Sequence, residues 1–391
     1  MSTTVAEKSG DTVSHDKHQA TTVVAESDPE PSCRQDADRK MNCLDKAFKL
    51  CNERLTTPQN RVAIFGHPTA DPDCIGSMMG LAWLLRKSFD VEVDCFYDGN
   101  ISHPQNVAVV NLLDPELKNL EDFDSTNYGM RMLVDTVPAH AATGQHVVDF
   151  DLVFDHHKET PNGGFRGLFI NMKAGSCCAT IYQLIKARGL TFDAGNDRDS
   201  QVATALMVGI ATDTENLLSD DTTEFEFEAY WKLFPHRDSD ALKKIVNYKR
   251  PKSWIEAKAA ASRDAVVNDD GVGVVGLGFI DSKQRDLIAD VADEMSTWAN
   301  VQTAIAFAVV DGEKIEGSVR STNASISVPT LCKELGMKCG SGGGKLGKGA
   351  YRYGLGGVSV DDDDEEDTRT KMWEFIKTKE TRRIVKIARG R

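Results

Sequence analysis

Short apolar runs alternate with helical patterns along the chain from Arg61 to about residue 233. The helical patterns at 75–88 and 176–188 separate several strand-like runs. These runs are RVAIF (61–65), VEVDCFY (91–97), RMLVD (131–135), DLVF (151–154) and GLFIN (167–171). Strands that alternate with helices predict an α/β fold with a mostly parallel sheet flanked by helices. Sheets of this kind bind ligands at the carboxyl ends of their strands.

The pattern divides the chain into five segments. We expect a disordered leader over 1–40, a first domain over 41–233, a partly helical linker over 234–252 and a smaller α/β domain over 253–357. Residues 358–391 form the fifth segment, which we interpret as an acidic linker and a basic C-terminal helix. The glycine-rich stretch at 340–349 reads as a loop, and alone it is equally typical of a surface turn.

Composition narrows the class of protein. The 391 residues include 46 Lys+Arg and 60 Asp+Glu, and the net charge of −14 disfavours a protein that coats long nucleic acids. Seven of these negative charges lie at 361–367 and are offset by the basic residues of 369–391. No apolar run approaches the roughly 18 residues of a membrane span. The nine cysteines form no C-x-x-C pair, so we expect free thiols and a cytoplasmic location.

Carboxylates and imidazoles follow the apolar segments of the first domain. They are His67, Asp71 and Asp73 after the first strand, Asp135 after RMLV, Asp155, His156 and His157 after DLVF, and Asp213 after ALMVGIAT. These are the side chains that Mn²⁺ and related ions prefer, and two such ions can drive an in-line phosphoryl displacement. Taken singly, Asp71 and Asp73 also suit a turn or helix cap, and His67 a simple hydrogen bond. Their joint occurrence indicates a metal centre.

The segments GHPTADPDCIGS, VDT, FDHHKE and GIATDTEN resemble the four motifs of the DHH phosphoesterase superfamily. The resemblance covers roughly residues 60–220 and implies two Mn²⁺ ions, with Mg²⁺ or Co²⁺ as alternatives. It implies that His67 and Asp71 hold the first ion, that Asp73, His156 and Asp213 hold the second, and that Asp135 bridges both. It also implies that His157 faces the scissile phosphate with Asp155 supporting the histidines, so the expected catalytic residues are Asp135, Asp155 and His157.

The second domain resembles the DHHA1 domain that accompanies this superfamily. The resemblance rests on EGSVRST (316–322) and on the glycine run, and it implies an active site in the cleft between the two domains. The residues expected to bind substrate are Ser318, Arg320, Ser321, Gly342, Gly343, Gly344 and Lys345. Lys345 stands where the family usually has histidine, which leaves phosphate binding intact but changes the chemistry of that position. The alternative interpretation of Arg320 is an exposed salt bridge.

A DHH/DHHA1 protein of this size resembles the branch that contains nanoRNases (oligoribonucleases), cyclic-dinucleotide phosphodiesterases and, with an additional domain, RecJ. The resemblance implies hydrolysis of short oligoribonucleotides or linear dinucleotides to 5′-mononucleotides. The alternatives are a cyclic di-AMP phosphodiesterase or a 3′-phosphoadenosine 5′-phosphate phosphatase, and after these an inorganic pyrophosphatase or a catalytically silent nucleotide-binding protein. A homodimer is an open alternative. The basic C-terminal stretch predicts either a helix packed on the second domain or a contact with RNA, a membrane surface or a protein partner.

Overall fold

The computed structural model describes residues 33–55, 60–99, 101–161, 165–345, 347–356 and 366–389. Most of the predicted leader and the predicted acidic linker lie outside these residues. The chain divides into two compact units, residues 1–42 and 43–391, and both β-sheets belong to the second unit. Helix α1 (Cys33–Arg54) begins inside the predicted leader, so the leader ends earlier than the prediction of 1–40.

The first sheet has six strands, and every neighbouring pair is parallel. In chain order they are β1 (Arg61–Phe65), β2 (Glu92–Tyr97), β3 (Leu117–Asn119), β4 (Met130–Val134), β5 (Leu152–Phe154) and β6 (Leu168–Ile170). Their spatial order is β3-β2-β1-β4-β5-β6, so the direction of winding reverses between β1 and β4. The predicted α/β class and parallel sheet are confirmed. At such a reversal the two following loops diverge and leave a crevice.

Helices cover the first sheet and bring the loops of its carboxyl edge together. They are α2 (Pro72–Phe89), α3 (Pro104–Leu113), α4 (Cys177–Ala187), α5 (Asp197–Asp213) and α6 (Glu224–Leu233). Helices α2 and α5 approach so closely that a Cβ atom added to Gly209 would lie 2.8 Å from the carbonyl oxygen of Pro72. This approach places the first turn of α2 beside the last turn of α5.

The predicted linker is packed against the first core. Its helix α7 (Ser239–Val246) buries Ala241 and Ile245 among the apolar residues that also line α3 and α5. Five short 3₁₀ turns complete the described irregular helices, at Leu120–Asp122, Ser125–Asn127, Pro138–His140, Phe234–His236 and Ser282–Gln284.

The second sheet is mixed, with only β8 and β9 parallel. Its strands are β7 (Val266–Val267), β8 (Val272–Ile280), β9 (Thr303–Val310), β10 (Lys314–Ser321), β11 (Ser341–Lys345) and β12 (Lys348–Gly354), in the spatial order β11-β12-β10-β9-β8-β7. Helices α8 (Lys252–Asp264), α9 (Asp286–Met295) and α10 (Val328–Leu335) accompany it. This confirms a second α/β region in the C-terminal part of the chain.

The glycine run is a strand, which corrects the loop expected from composition. Strand β11 is the edge of the second sheet and forms a hairpin with β12. A Cβ atom on Gly342 would lie 1.9 Å from the carbonyl oxygen of Cys332 in α10, and one on Gly344 would lie 2.2 Å from that of Lys348. Glycine is therefore required by the close approach of neighbouring backbone, rather than by loop flexibility.

Helix α11 (Glu366–Arg389) packs on the second sheet. Its residues Ile376, Ile384 and Ala388 are buried in the same core as strands β8 to β10. The hydroxyls of Tyr351 and Tyr353 donate hydrogen bonds to Glu380, at 3.2 and 2.7 Å. These contacts correspond to the first alternative for the basic C-terminal stretch. Among the described helices, none combines the length and the apolar content needed to cross a membrane.

Candidate metal centre and cleft

The loop after β1 carries the first predicted ligands and begins α2. Asp71 caps this helix, since its Oδ1 atom accepts hydrogen bonds from the backbone N–H groups of Asp73 and Cys74 at 3.0 and 3.1 Å. The Nε2 atom of His67 lies 4.0 Å from the same oxygen. Asp71 therefore caps α2, as the alternative interpretation of the sequence expects, and it also lies beside the imidazole of His67.

Asp135, the residue that follows β4, lies between two imidazoles. Its Oδ2 atom is 3.4 Å from His67 Nε2, and its Oδ1 atom is 3.4 Å from His156 Nε2. The backbone at Asp135 has a φ of 61°, a left-handed conformation that turns the chain sharply at the end of the strand. Although burial opposes ionisation, the two histidines hold the pKa of Asp135 well below its usual range.

A second group surrounds His156. Its Nε2 atom lies 3.3 Å from Asp213 Oδ2 and 3.8 Å from Asp73 Oδ2. Asp73 is buried and accepts hydrogen bonds from the backbone N–H groups of Cys177 and Cys178, at 2.7 and 2.8 Å, at the start of α4. A helix N-terminus stabilises a carboxylate, but burial and the neighbouring charge of Asp135 still raise the pKa of Asp73 well above its usual value.

Asp155 holds the backbone and the ring of the histidine pair. It is fully buried, and its Oδ1 atom accepts hydrogen bonds from the backbone N–H groups of His156 and His157 at 2.8 and 3.3 Å. The same atom lies 2.8 Å from the Nδ1 atom of His157. An ionised carboxylate only accepts, so this contact fixes the Nδ1–H form of His157 and leaves Nε2 for other partners.

The residues fit divalent cations. Asp135 Oδ1 and Asp213 Oδ2 are buried and make no hydrogen bond within the described part of the chain. A buried carboxylate oxygen without a partner is costly, and at Asp213 the C-terminal end of α5 adds an unfavourable dipole. Imidazole nitrogens and carboxylate oxygens are suitable ligands for Mn²⁺, Mg²⁺ or Co²⁺. The described residues contain three groups of potential ligands, namely His67, Cys74 and Asp135; Asp135, His156 and His157; and Asp73, His156 and Asp213.

The second sheet forms the other wall of a cleft of about 1850 Å³ above this cluster. Ser318, Arg320, Lys345 and the three glycines of β11 line it, whereas Ser321 lies outside the lining and its hydroxyl contacts that of Thr303 at 2.8 Å. Arg320 pairs with Asp293 of α9, at 2.5 and 3.1 Å, and donates to Ser318. Arg320 thus forms the salt bridge of the alternative interpretation while it faces the cleft.

Lys345 extends across the cleft to the metal cluster. Its Nζ atom lies 3.4 Å from Asp213 Oδ1. Burial opposes the charge, but Asp213 raises the pKa of Lys345 above its ordinary value. The lysine that replaces the usual histidine therefore carries a permanent positive charge beside a predicted metal ligand.

The sequence interpretation missed Cys74, whose thiol lies in the cluster with His67 and Asp135. It treated the metal positions as free of cysteine. A signal was available, because Cys74 directly follows Asp73 in the first turn of α2, beside the capping residue Asp71. Lys348, which the sequence predicts only to add positive charge to the glycine run, lines the cleft and pairs with Glu215 at 2.6 Å.

Residues 61–210 match the model of the DHH family, N-terminal domain. These residues therefore form a DHH domain within the chain. An uncharacterized protein of Methanocaldococcus jannaschii is 28% identical over 349 residues, which are 86% of this chain and 69% of that protein. The fold is similar to that of an exopolyphosphatase-related protein from Bacteroides fragilis, with a TM-score of 0.60 and 15% identity over 88% of this chain and 97% of that one. DHH proteins are phosphoesterases that use divalent metals, and this chain has acidic and histidine groups that could hold such ions.

Proposed function

We propose that this DHH protein is a phosphodiesterase that hydrolyses short oligoribonucleotides or linear dinucleotides to 5′-mononucleotides with the help of two Mn²⁺ ions. The observation that carries the proposal is the position of Asp135, whose two carboxylate oxygens each face a different histidine at 3.4 Å. A carboxylate placed in this way is suited to bridge two ions. The site lies where the first sheet reverses its winding, which is the usual ligand position in such sheets.

The proposed ligands divide into two sets. His67 and Asp71 serve one ion, Asp73, His156 and Asp213 serve the other, and Asp135 is shared. Two divalent ions at such a centre supply an activated water and neutralise the oxygens of an in-line phosphoryl displacement. The chain's part is to hold these side chains rigidly, and the hydrogen bonds from α4 to Asp73 do this on one side.

His157 is the proposed proton donor to the leaving oxygen. Its Nδ1 atom lies 2.8 Å from the buried Asp155, which orients the ring, and the ring lines the cleft. A histidine oriented from behind in this way can present Nε2–H to a substrate. Asp155 acts through His157 and His156 as a positioning residue.

The dimensions of the cleft and the lysines along it favour an extended anionic substrate. A volume of about 1850 Å³ exceeds the roughly 300–1,000 Å³ of a pocket for one small ligand. Lys158, Lys173, Lys345 and Lys348 line it and can meet phosphates outside the metal cluster. These features support a dinucleotide or a short oligonucleotide over inorganic pyrophosphate.

A substrate panel tests the proposal. The full chain with Mn²⁺ should release mononucleotides from the linear dinucleotide pApA and from RNAs of two to five residues faster than it hydrolyses cyclic di-AMP, 3′-phosphoadenosine 5′-phosphate or pyrophosphate. His156→Ala should abolish this activity, and His146→Ala, at an exposed histidine outside the cleft, should leave it unchanged. Preferential hydrolysis of any of the other three substrates would contradict the proposed specificity. Inactivity towards all of them would contradict the proposed enzyme.

A further inference from the structure

Cys74 is a buried thiol beside the candidate metal centre. It lies in the first turn of α2, and its backbone N–H donates to Asp71 Oδ1 at 3.1 Å. Its Sγ atom packs under the end of β1, where a Cβ atom added to Gly66 would lie 2.2 Å away. The residue before His67 is therefore glycine for a steric reason, and the position of the sulfur is fixed by packing.

The sulfur shares a small volume with two proposed ligands. Cys74 Sγ, a ring nitrogen of His67 and a carboxylate oxygen of Asp135 all lie within 4.8 Å of one another. Ligand atoms that share one ion lie roughly 2.0–2.3 Å from it, so two of them are at most about 4.6 Å apart. The three atoms are thus close to the arrangement around a common ion. Asp135 approaches His67 through its Oδ2 atom at 3.4 Å, so its other oxygen, which faces His156, stays available for the second ion.

The other buried thiols near the centre are engaged elsewhere. Cys177 Sγ donates to the carbonyl oxygen of Phe154 at 3.5 Å. Cys178 Sγ donates to the carbonyl oxygen of Asp73 at 3.3 Å. Among the described residues, Cys74 is the cysteine that groups with potential metal ligands.

We propose that Cys74 is a further ligand of the ion held by His67, Asp71 and Asp135, which makes this a nitrogen–oxygen–sulfur site that favours Co²⁺ or Zn²⁺ over Mn²⁺ and Mg²⁺. The inference rests on the metal centre of the proposed function and deepens it. Thiolate is a soft donor, whereas Mn²⁺ and Mg²⁺ prefer oxygen ligands. The ion of the second set, around Asp73, His156 and Asp213, has only nitrogen and oxygen donors, so the two positions differ in preference.

Cobalt spectroscopy tests the proposal without reference to activity. The full chain is freed of metal with a chelator and titrated with Co²⁺ under anaerobic conditions. We expect a near-ultraviolet sulfur-to-cobalt charge-transfer band in addition to the visible ligand-field bands. Cys74→Ser should remove the charge-transfer band, keep the visible bands and weaken Co²⁺ relative to Mn²⁺ by at least about tenfold. Cys95→Ser is the matched control, a buried thiol in β2 outside the ligand groups, and it should keep the charge-transfer band.

The outcomes separate the two proposals. Visible bands without a charge-transfer band in the wild type, or a charge-transfer band that persists in Cys74→Ser, would overturn the role of Cys74 and leave the metal centre standing. Failure of the wild type to bind Co²⁺, Zn²⁺ or Mn²⁺ would overturn both proposals. If Cys74→Ser does not fold, X-ray absorption of the zinc-loaded wild type decides, since the proposal requires a sulfur at about 2.3 Å from zinc.

Discussion

The two walls of the cleft differ in how deeply their polar side chains are buried and how firmly they are held. On the wall of the first sheet, Asp73, Asp135 and Asp155 are each at most 3% exposed, and backbone N–H groups hold the carboxylates of Asp73 and Asp155. On the opposite wall, the side chain of Lys345 is 44% exposed and comes from an edge strand of glycines. Folding therefore fixes the geometry of the wall formed by the first sheet (the metal wall), whereas the opposite wall retains room to adjust to a substrate.

This difference predicts separate kinetic effects. Changes in the metal wall should lower kcat and metal affinity together, because each side chain serves the centre. Changes in the opposite wall should act mainly on KM, since they alter contacts that are made equally before and during the reaction. The following predictions test that separation.

Asp135→Asn should have the largest effect. The amide keeps the size of the side chain but removes the charge shared by the two histidines, so kcat should fall by more than about 10³-fold. Thermal denaturation with and without Mn²⁺ should show that the metal-induced rise in Tm is lost as well.

The control for this variant is Asp94→Asn in the same sheet. Asp94 is buried and pairs with Arg61 at 2.6 Å and Lys118 at 2.8 Å, outside the ligand groups. It should lower Tm while the metal-induced rise remains. A normal metal response in Asp135→Asn would contradict its role as a shared ligand.

Substitutions at two adjacent glycines of β11 should distinguish a packing defect from the loss of a substrate contact. Gly342→Ala places a Cβ atom 1.9 Å from the carbonyl oxygen of Cys332, so we expect Tm to fall by several degrees. At Gly343 an added Cβ atom meets no atom within 4 Å, and Gly343→Ala should leave Tm unchanged. If a phosphate approaches the bare backbone here, KM for pApA should rise about tenfold, equivalent to roughly 1.4 kcal/mol. An unchanged KM would place the substrate elsewhere.

Substitution of Lys345 should change substrate affinity, and this effect should be smaller than the effect of metal-wall substitutions on kcat. Lys345→Met removes a charge that lies 3.4 Å from Asp213, and KM should rise about three- to tenfold with kcat nearly unchanged. Lys345→His should restore affinity at pH 6 and lose it by pH 8, because imidazole titrates between them. Steady-state kinetics at both pH values measure this change. A fall in kcat as large as that of Asp135→Asn would contradict the expected difference between the two walls.

The stability of chelator-treated protein should depend on pH. Burial opposes the charge of His156, but Asp135, Asp73 and Asp213 raise its pKa to about 10, above the ordinary 6.5. The resulting stabilisation is fully present below pH 6.5 and is lost as pH rises towards 10. Tm should fall over that range, and His156→Gln should reduce the dependence to the part due to His67, whose pKa is also raised well above its ordinary value. A Tm independent of pH in the wild type would contradict the charge arrangement.

Much of the metal wall could be predicted from sequence because its signals are local. Apolar strands buried on both faces end in charged residues, and a parallel sheet brings such ends to one edge. That logic predicts from the sequence that His67, Asp135 and His156 lie close together. The proposed assignment of each ligand to one of two ions remains a prediction.

The opposite wall is harder to predict from the sequence, because its structure depends on contacts between segments that are far apart in the chain. The glycines of β11 resemble a loop until the backbone of α10 is seen against Gly342. The pairing of Arg320 with Asp293 links residues 27 positions apart. Cys74 directly follows Asp73 in the sequence, but this adjacency alone does not distinguish a metal ligand from a buried thiol.

Helix α11 has a consequence for the order of folding during synthesis. All strands of the first sheet lie within residues 61–170, so that sheet can form early in translation. The second sheet is different, because Trp373 of α11 packs against Gly276 of β8 so closely that a Cβ atom there would lie 2.7 Å from the ring. The part of that sheet's apolar face that α11 covers therefore stays exposed until the last segment of the chain has been synthesised. During synthesis the metal wall forms before the cleft is complete, and chaperones would be expected to bind the protein between these two events.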